Sequence, residues 1–187
     1  MSGPAKIHPL ALVETDAVGE GTRVWAYAHV LPGARVGSGC NIGEGVFVEG
    51  GVSLGNDVTI KNGVALYAGV TIEDEAFLGP HCVFTNDLRP RSGRYRHPGA
   101  LLDTRIGRGA TVGANATVVC GHTVGTYAMV AAGAVVTRDV APHALVAGVP
   151  ARRVGFVCAC GERLPVSLVC SCGLSYEPDG PGLRAKS

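Results

Sequence analysis

The sequence predicts an all-β protein, a parallel β-helix wound from six-residue repeats. Three observations carry that expectation. An apolar residue returns at every sixth position, glycine gathers at two fixed offsets from it, and amphipathic helical patterns are hard to find. Composition agrees: the 187 residues include 28 glycines and only 5% aromatics, with valine abundant. Such a mixture favours many short strands separated by turns.

The apolar series starts at Leu12 and runs through Val18, Val24, Val30, Val36 and Ile42 to Leu78 and Phe84 without a miss. It resumes from Ile106 to Val136. Four residues after each anchor from Val18 to Leu78 stands a small or β-branched residue, for example Ala28, Cys40, Val46 or Cys82. Glycine often follows the anchor directly, or three residues later, where turn angles penalise a β-carbon. Period six suits neither a helix nor a hairpin array. It suits a chain that makes a short strand, turns and repeats. Three such sides close a coil of about 18 residues, and coils stack at roughly 4.8 Å through parallel pairing. The first run supplies about four coils and the second about two.

Net charge is +1, so no global basic field points to nucleic acid. No apolar run approaches the ~18 residues of a membrane span, and no leader-like segment precedes Ile7. Seven cysteines without an export signal indicate a reduced, cytoplasmic setting.

The repeat breaks once, from Thr85 to Arg105. This protruding segment holds Arg89, Arg91, Arg94, Arg96 and Arg105 against Asp87 and Asp103: five positive against two negative, a balance of +3. It reads either as a solvated loop or as a basic flap over an anionic ligand, since guanidinium donates to phosphate and carboxylate in a rigid fork.

Hexads such as Val36-Gly37-Ser38-Gly39-Cys40-Asn41 and Ile42-Gly43-Glu44-Gly45-Val46-Phe47 resemble the left-handed β-helix acyltransferases, and left-handedness is implied by that resemblance alone. The stretch Val83-Phe84-Thr85-Asn86-Asp87 with Pro90-Arg91 is similar to one branch. That branch acetylates the 3-amino group of nucleotide-linked 3-amino-3-deoxy sugars, including UDP-linked 3-amino glucuronic acid derivatives. Val24-Trp25 with His29, Tyr67-Ala68-Gly69-Val70 and Gly121-His122-Thr123 share the resemblance, which covers about residues 6 to 155. Lys61 departs from it, standing near a position where the branch usually carries glutamine.

The resemblance implies acetyl transfer from acetyl-CoA to the amino group of a UDP- or dTDP-linked sugar, in a homotrimer with sites between subunits. Asn86 is implied at the reacting amine, where its side-chain carbonyl can aim the nitrogen lone pair. Asp87 can accept from the sugar or hold Asn86. Both also suit ordinary turn chemistry. His29, Tyr67, Arg91 and Arg94 are candidate sugar-nucleotide contacts. A sugar amine is less basic than lysine, so orientation can suffice and a strong general base is optional.

After the last hexad, Gly148-Val149-Pro150-Ala151-Arg152-Arg153 is similar to the segment that ends many hexapeptide acyltransferases. It implies Arg152 and Arg153 at CoA phosphates. Small residues Gly113, Ala131 and Ala132 would let pantetheine approach the backbone. Two other function classes share the repeat. One is a γ-carbonic-anhydrase-like metalloenzyme, for which His81 and His122 lack a third histidine near Thr117 and Cys120. The other is a non-catalytic binding or scaffold protein.

Residues 1–155 therefore form the β-helix domain, with 85–105 protruding. Residues 156–177 form a Cys-rich tail, and 178–187 a disordered C terminus. In the tail, Cys158-Ala159-Cys160-Gly161 and Cys170-Ser171-Cys172-Gly173 resemble the paired turns of zinc ribbons. Four thiolates would make a closed structural zinc site. The spacing of one residue between paired cysteines keeps free thiols and disulfides open as alternatives.

Overall fold

The computed structural model describes residues 3–93 and 101–186. Strands of mostly two residues wind into a parallel β-solenoid of about seven turns. Its three faces are sheets of nine, seven and five strands. Pairing advances by one coil: Val24 lies beside Ile42, Ile42 beside Ile60 and Ile60 beside Leu78. Every anchor from Val24 to Val136 is buried, as are Ala28, Ala34, Cys40, Val46 and Cys82 at the secondary positions. Branched side chains at the anchors and small or β-branched ones at the bends fill the core between the three sheets, so each coil is stabilised by its neighbours above and below. The fourteen residues 137–150 carry the winding on, with Ala144–Ala147 pairing in parallel on Met129–Val130. Arg152–Phe156 then folds back antiparallel on Ala144–Ala147 and closes the stack.

The expected series fails at its first member. Leu12 is 54% exposed, and its neighbour Val13 pairs with the buried Val30. Leu12 instead pairs with His29 on the outward side. The first coil is one residue short, so an apolar residue that keeps the beat in sequence points outward in space. Two glycine classes hold the coils together. Gly107 lies so close to the next coil that a β-carbon would sit 2.7 Å from the Thr126 nitrogen. Gly45 has open space but takes φ +65°, a left-handed turn.

The excursion leaves the register intact. Ile72 pairs with Ile106, 34 positions on rather than 18, so the loop inserts 16 residues. It is narrower than 85–105. The strand Thr104–Ile106 already belongs to the helix, and Asp87 bridges Leu101 antiparallel. Arg105 is spent on Glu73, with both Nε and Nη2 donating to the Glu73 carboxylate. It is not part of a flap. Among the described residues, no helix is long and apolar enough to cross a membrane.

The expectation of a disordered C terminus from 178 is not met. Tyr176–Asp179 and Gly182–Ala185 form an antiparallel hairpin. Tyr176 and Leu183 are buried in a small second core with Leu164, Cys158 and Cys170. Those two apolar anchors order a stretch whose polar, proline- and glycine-containing sequence suggested none.

Candidate active site

Tyr67 follows Leu66 and Thr85 follows Phe84, on adjacent rungs of the seven-strand sheet. Tyr67 and Asn86 therefore share one corner of the prism. At the loop base the Asn86 carbonyl accepts from Leu102 N at 3.0 Å, and Thr85 Oγ1 accepts from Cys120 N at 3.0 Å. These bonds fix the backbone on both sides of a half-buried Asn86. Asp87 Oδ1 accepts from Arg89 N at 2.7 Å, the Asx-turn role that competes with a substrate role. Arg91 is exposed, and its guanidinium donates to the Pro90 carbonyl at 2.8 Å. Arg94 lies outside the described residues.

His29 stands lower on the same sheet, outward beside Phe47. Its Nε2 is 2.7 Å from Glu14 Oε2. Its ring meets Phe47 edge-on at 5.8 Å, and Phe47 meets Tyr67 at 6.3 Å. The sequence reading missed Glu14 and Phe47. The outward residues of one sheet are 18 apart, and His29 and Phe47 satisfy that spacing, so the signal for Phe47 was present.

Gly113 and Ala131 occupy a different corner, each following an anchor of the nine-strand sheet. A β-carbon on Gly113 would sit 2.5 Å from the Ala132 nitrogen. Gly79 continues this smooth edge one coil earlier, on the same coil as Asn86. Toward the N-terminal end of the edge lies a cleft of about 490 Å³ beside Trp25, Asn41, Glu44 and Lys61. Trp25 is half exposed, and its indole N–H donates to Asn41 Oδ1 at 2.9 Å. Within one chain, the corner of Asn86 and the corner of Gly113 are separated by the width of the seven-strand sheet.

At the C-terminal end, Arg152, Arg153 and Arg138 line a cleft of about 460 Å³ together with Pro181. Arg138 was also missed. Arg153 has structural work besides: it donates to the Pro181 carbonyl at 2.9 Å and lies 4.8 Å over the Phe156 ring.

The tail brings its cysteines together. The Sγ atoms of Cys158, Cys160, Cys170 and Cys172 all lie within 4.8 Å of one another. Burial alone would raise the Cys158 thiol, but hydrogen bonds from the Tyr176 hydroxyl and the Cys160 backbone outweigh it and bring it down to about 6. Among the described residues, no histidine joins a comparable cluster within one chain.

Residues 17–50 match the family model for bacterial transferase hexapeptide (six repeats), and 103–138 match that for the hexapeptide repeat of succinyl-transferase. The chain is 48% identical over 174 residues to a dTDP-3-amino-3,6-dideoxy-alpha-D-galactopyranose 3-N-acetyltransferase of Aneurinibacillus thermoaerophilus, covering 91% of this chain and 90% of that relative. Among solved structures, PerB from Caulobacter crescentus with CoA and GDP-perosamine matches at TM-score 0.51 and 27% identity. The match covers 82% of this chain but 58% of PerB. A hexapeptide-repeat acetyltransferase of Vibrio cholerae complexed with acetyl coenzyme A matches at TM-score 0.56 and 27% identity, over 63% of this chain and 67% of that one.

Proposed function

This chain belongs to the hexapeptide-repeat acyltransferases, left-handed β-helix enzymes, and we propose that it transfers acetyl from acetyl-CoA to the 3-amino group of a dTDP- or UDP-linked amino sugar. The observation that carries this reading is the 48% identity to a sugar 3-N-acetyltransferase over 91% of the chain.

The neutral amine attacks the thioester carbonyl carbon, the C–N bond forms and the C–S bond breaks. The proton leaving nitrogen goes to the departing thiolate, giving free CoA. Asn86 accepts a hydrogen bond from the amine and aims its lone pair, supplying orientation rather than proton transfer. His29, Tyr67 and the Trp25 cleft lie toward the sugar nucleotide. Gly113, Ala131 and Ala132 flank pantetheine, and Arg152 and Arg153 meet the CoA phosphates. A structural zinc belongs to the tail, apart from the reaction. The setting is the cytoplasm.

The two corners supply complementary halves of a site, and a sheet's width separates them within one chain. A neighbouring copy that sets its Gly113 corner against the Asn86 corner completes it, so we expect a homotrimer. Light scattering should give three times the chain mass, and a fully active monomer would contradict this. Arg91→Ala should raise the KM for the sugar nucleotide about tenfold, with kcat and thermal stability unchanged. Normal sugar affinity would remove the loop from anion binding.

The reading is tested by free-thiol release from acetyl-CoA across dTDP-, UDP- and GDP-linked amino sugars. A 3-amino sugar should give the highest kcat/KM. No release with any amino sugar leaves the scaffold reading in its place.

A further inference from the structure

The proposed acetyl transfer assigns no part to any cysteine of the tail, yet the tail carries the densest cluster of ligating side chains among the described residues. Two turns of the same design build it. At the first, Gly161 N donates to the Cys158 carbonyl at 2.9 Å; at the second, Gly173 N donates to the Cys170 carbonyl at 3.0 Å. Both glycines have φ +94°. This left-handed geometry supplies the bend that one intervening residue seemed too short to make, and it turns both thiols of each pair to the same side. The two turns then face one another. Cys158 Sγ lies 3.5 Å from Cys172 Sγ, and Cys160 Sγ lies 3.6 Å from Cys170 Sγ.

Four sulfurs held at ~2.3 Å from a zinc ion stand roughly 3.8 Å apart along each tetrahedral edge. The observed separations, from 3.5 Å to no more than 4.8 Å, bracket that value. All four thiols form one cluster rather than two remote pairs. The outer shell is in place as well. The Tyr176 hydroxyl lies 3.1 Å from Cys158 Sγ, where it can donate to a thiolate, and accepts from Ala159 N at 2.9 Å.

That tyrosine also links the cluster to the helix. Its ring packs 4.7 Å from His143, which stacks at 5.4 Å on Tyr127 of the coil below. His143 is buried and hydrogen-bonds the Val157 carbonyl at 3.0 Å. The small second core is centred on Cys158, Leu164, Cys170, Tyr176 and Leu183, too few side chains to order some thirty residues unaided.

We infer that Cys158, Cys160, Cys170 and Cys172 hold one zinc ion as a closed four-thiolate site, and that this ion clamps the tail onto the last coil through Tyr176 and His143. Binding converts thiols to thiolates and releases their protons to solvent. The inference rests on the tail alone and is independent of the acetyl transfer.

The test uses the full chain purified without a metal-affinity tag. Elemental analysis should give about one zinc per chain, and cobalt exchanged into the site should show a thiolate-to-metal charge-transfer band of tetrahedral type. Cys160 and Cys172 are exposed, so the double variant Cys160→Ser, Cys172→Ser perturbs packing least. It should lose the zinc, keep the far-ultraviolet spectrum of the β-helix, and be cut by trypsin after Arg163 at least about tenfold faster. Less than about 0.2 zinc per chain, with four titratable thiols or two disulfides, overturns the metal site. Zinc bound in the parent, with the zinc-free variant equally resistant to trypsin, overturns the clamp.

Discussion

Asn86→Ala is expected to lower kcat by about 100-fold while leaving the KM for acetyl-CoA within about twofold of the parent. The asymmetry follows from position. Asn86 sits beyond the last strand of its coil at the mouth of the loop, its backbone carbonyl committed to Leu102 and its neighbour Thr85 committed to Cys120. The side chain is thereby presented from a fixed base, as a group that aims a nucleophile must be. Truncation removes an acceptor without altering the coil beneath. The Gly113 corner, where the proposal places CoA, is not touched. Steady-state kinetics with each substrate varied separately checks the split. An unchanged kcat removes Asn86 from the mechanism, and an equal loss in both constants points to a collapsed loop.

The largest effect on stability is expected at Gly107. A β-carbon there would meet the Thr126 nitrogen at 2.7 Å, the Gly125 carbonyl carbon at 2.9 Å and the Val124 oxygen at 3.0 Å, all backbone atoms of the next coil. None can rotate away. Gly107→Val must separate the two coils or twist them, breaking parallel pairing along a corner, so a loss exceeding about 4 kcal/mol is expected. Gly45→Ala is the control. Nothing lies within 4 Å of its β-carbon, and the cost is the left-handed φ alone, about 1 to 2 kcal/mol. Urea unfolding of the two variants should therefore separate them clearly. Comparable midpoints would mean that coil contact does not dominate the role of glycine here.

Most of the solenoid was legible because one physical rule, an inward apolar residue every sixth position, repeats over many copies and averages out local noise. Leu12 shows where that rule fails: one missing residue in the first coil reverses which side faces inward, and the one-dimensional pattern does not register it. The C-terminal hairpin was illegible for a different reason. Its order comes from Tyr176 and Leu183 packing with Cys158, Leu164 and Cys170, not from any local propensity. In the site, Asn86, Asp87 and Tyr67 could be named from motif resemblance, and the structure brings Tyr67 and Asn86 to one corner. Glu14 could not be named, because it meets His29 only through the winding, and Arg138 lines the C-terminal cleft beside Arg152 and Arg153 only in the folded chain. The +3 charge of the excursion counts one arginine too many for the loop itself. Arg105 falls on a strand, and its charge is committed to Glu73.

The central claim is transfer of acetyl to a sugar nitrogen. The most direct measurement mixes carbonyl-labelled acetyl-CoA, enzyme and a dTDP-linked 3-amino sugar, and follows the label by NMR. The account predicts that the label appears in an amide coupled to the proton on the amine-bearing sugar carbon, with one free CoA thiol released per amide formed. Label recovered as free acetate, or on a sugar hydroxyl, would contradict it.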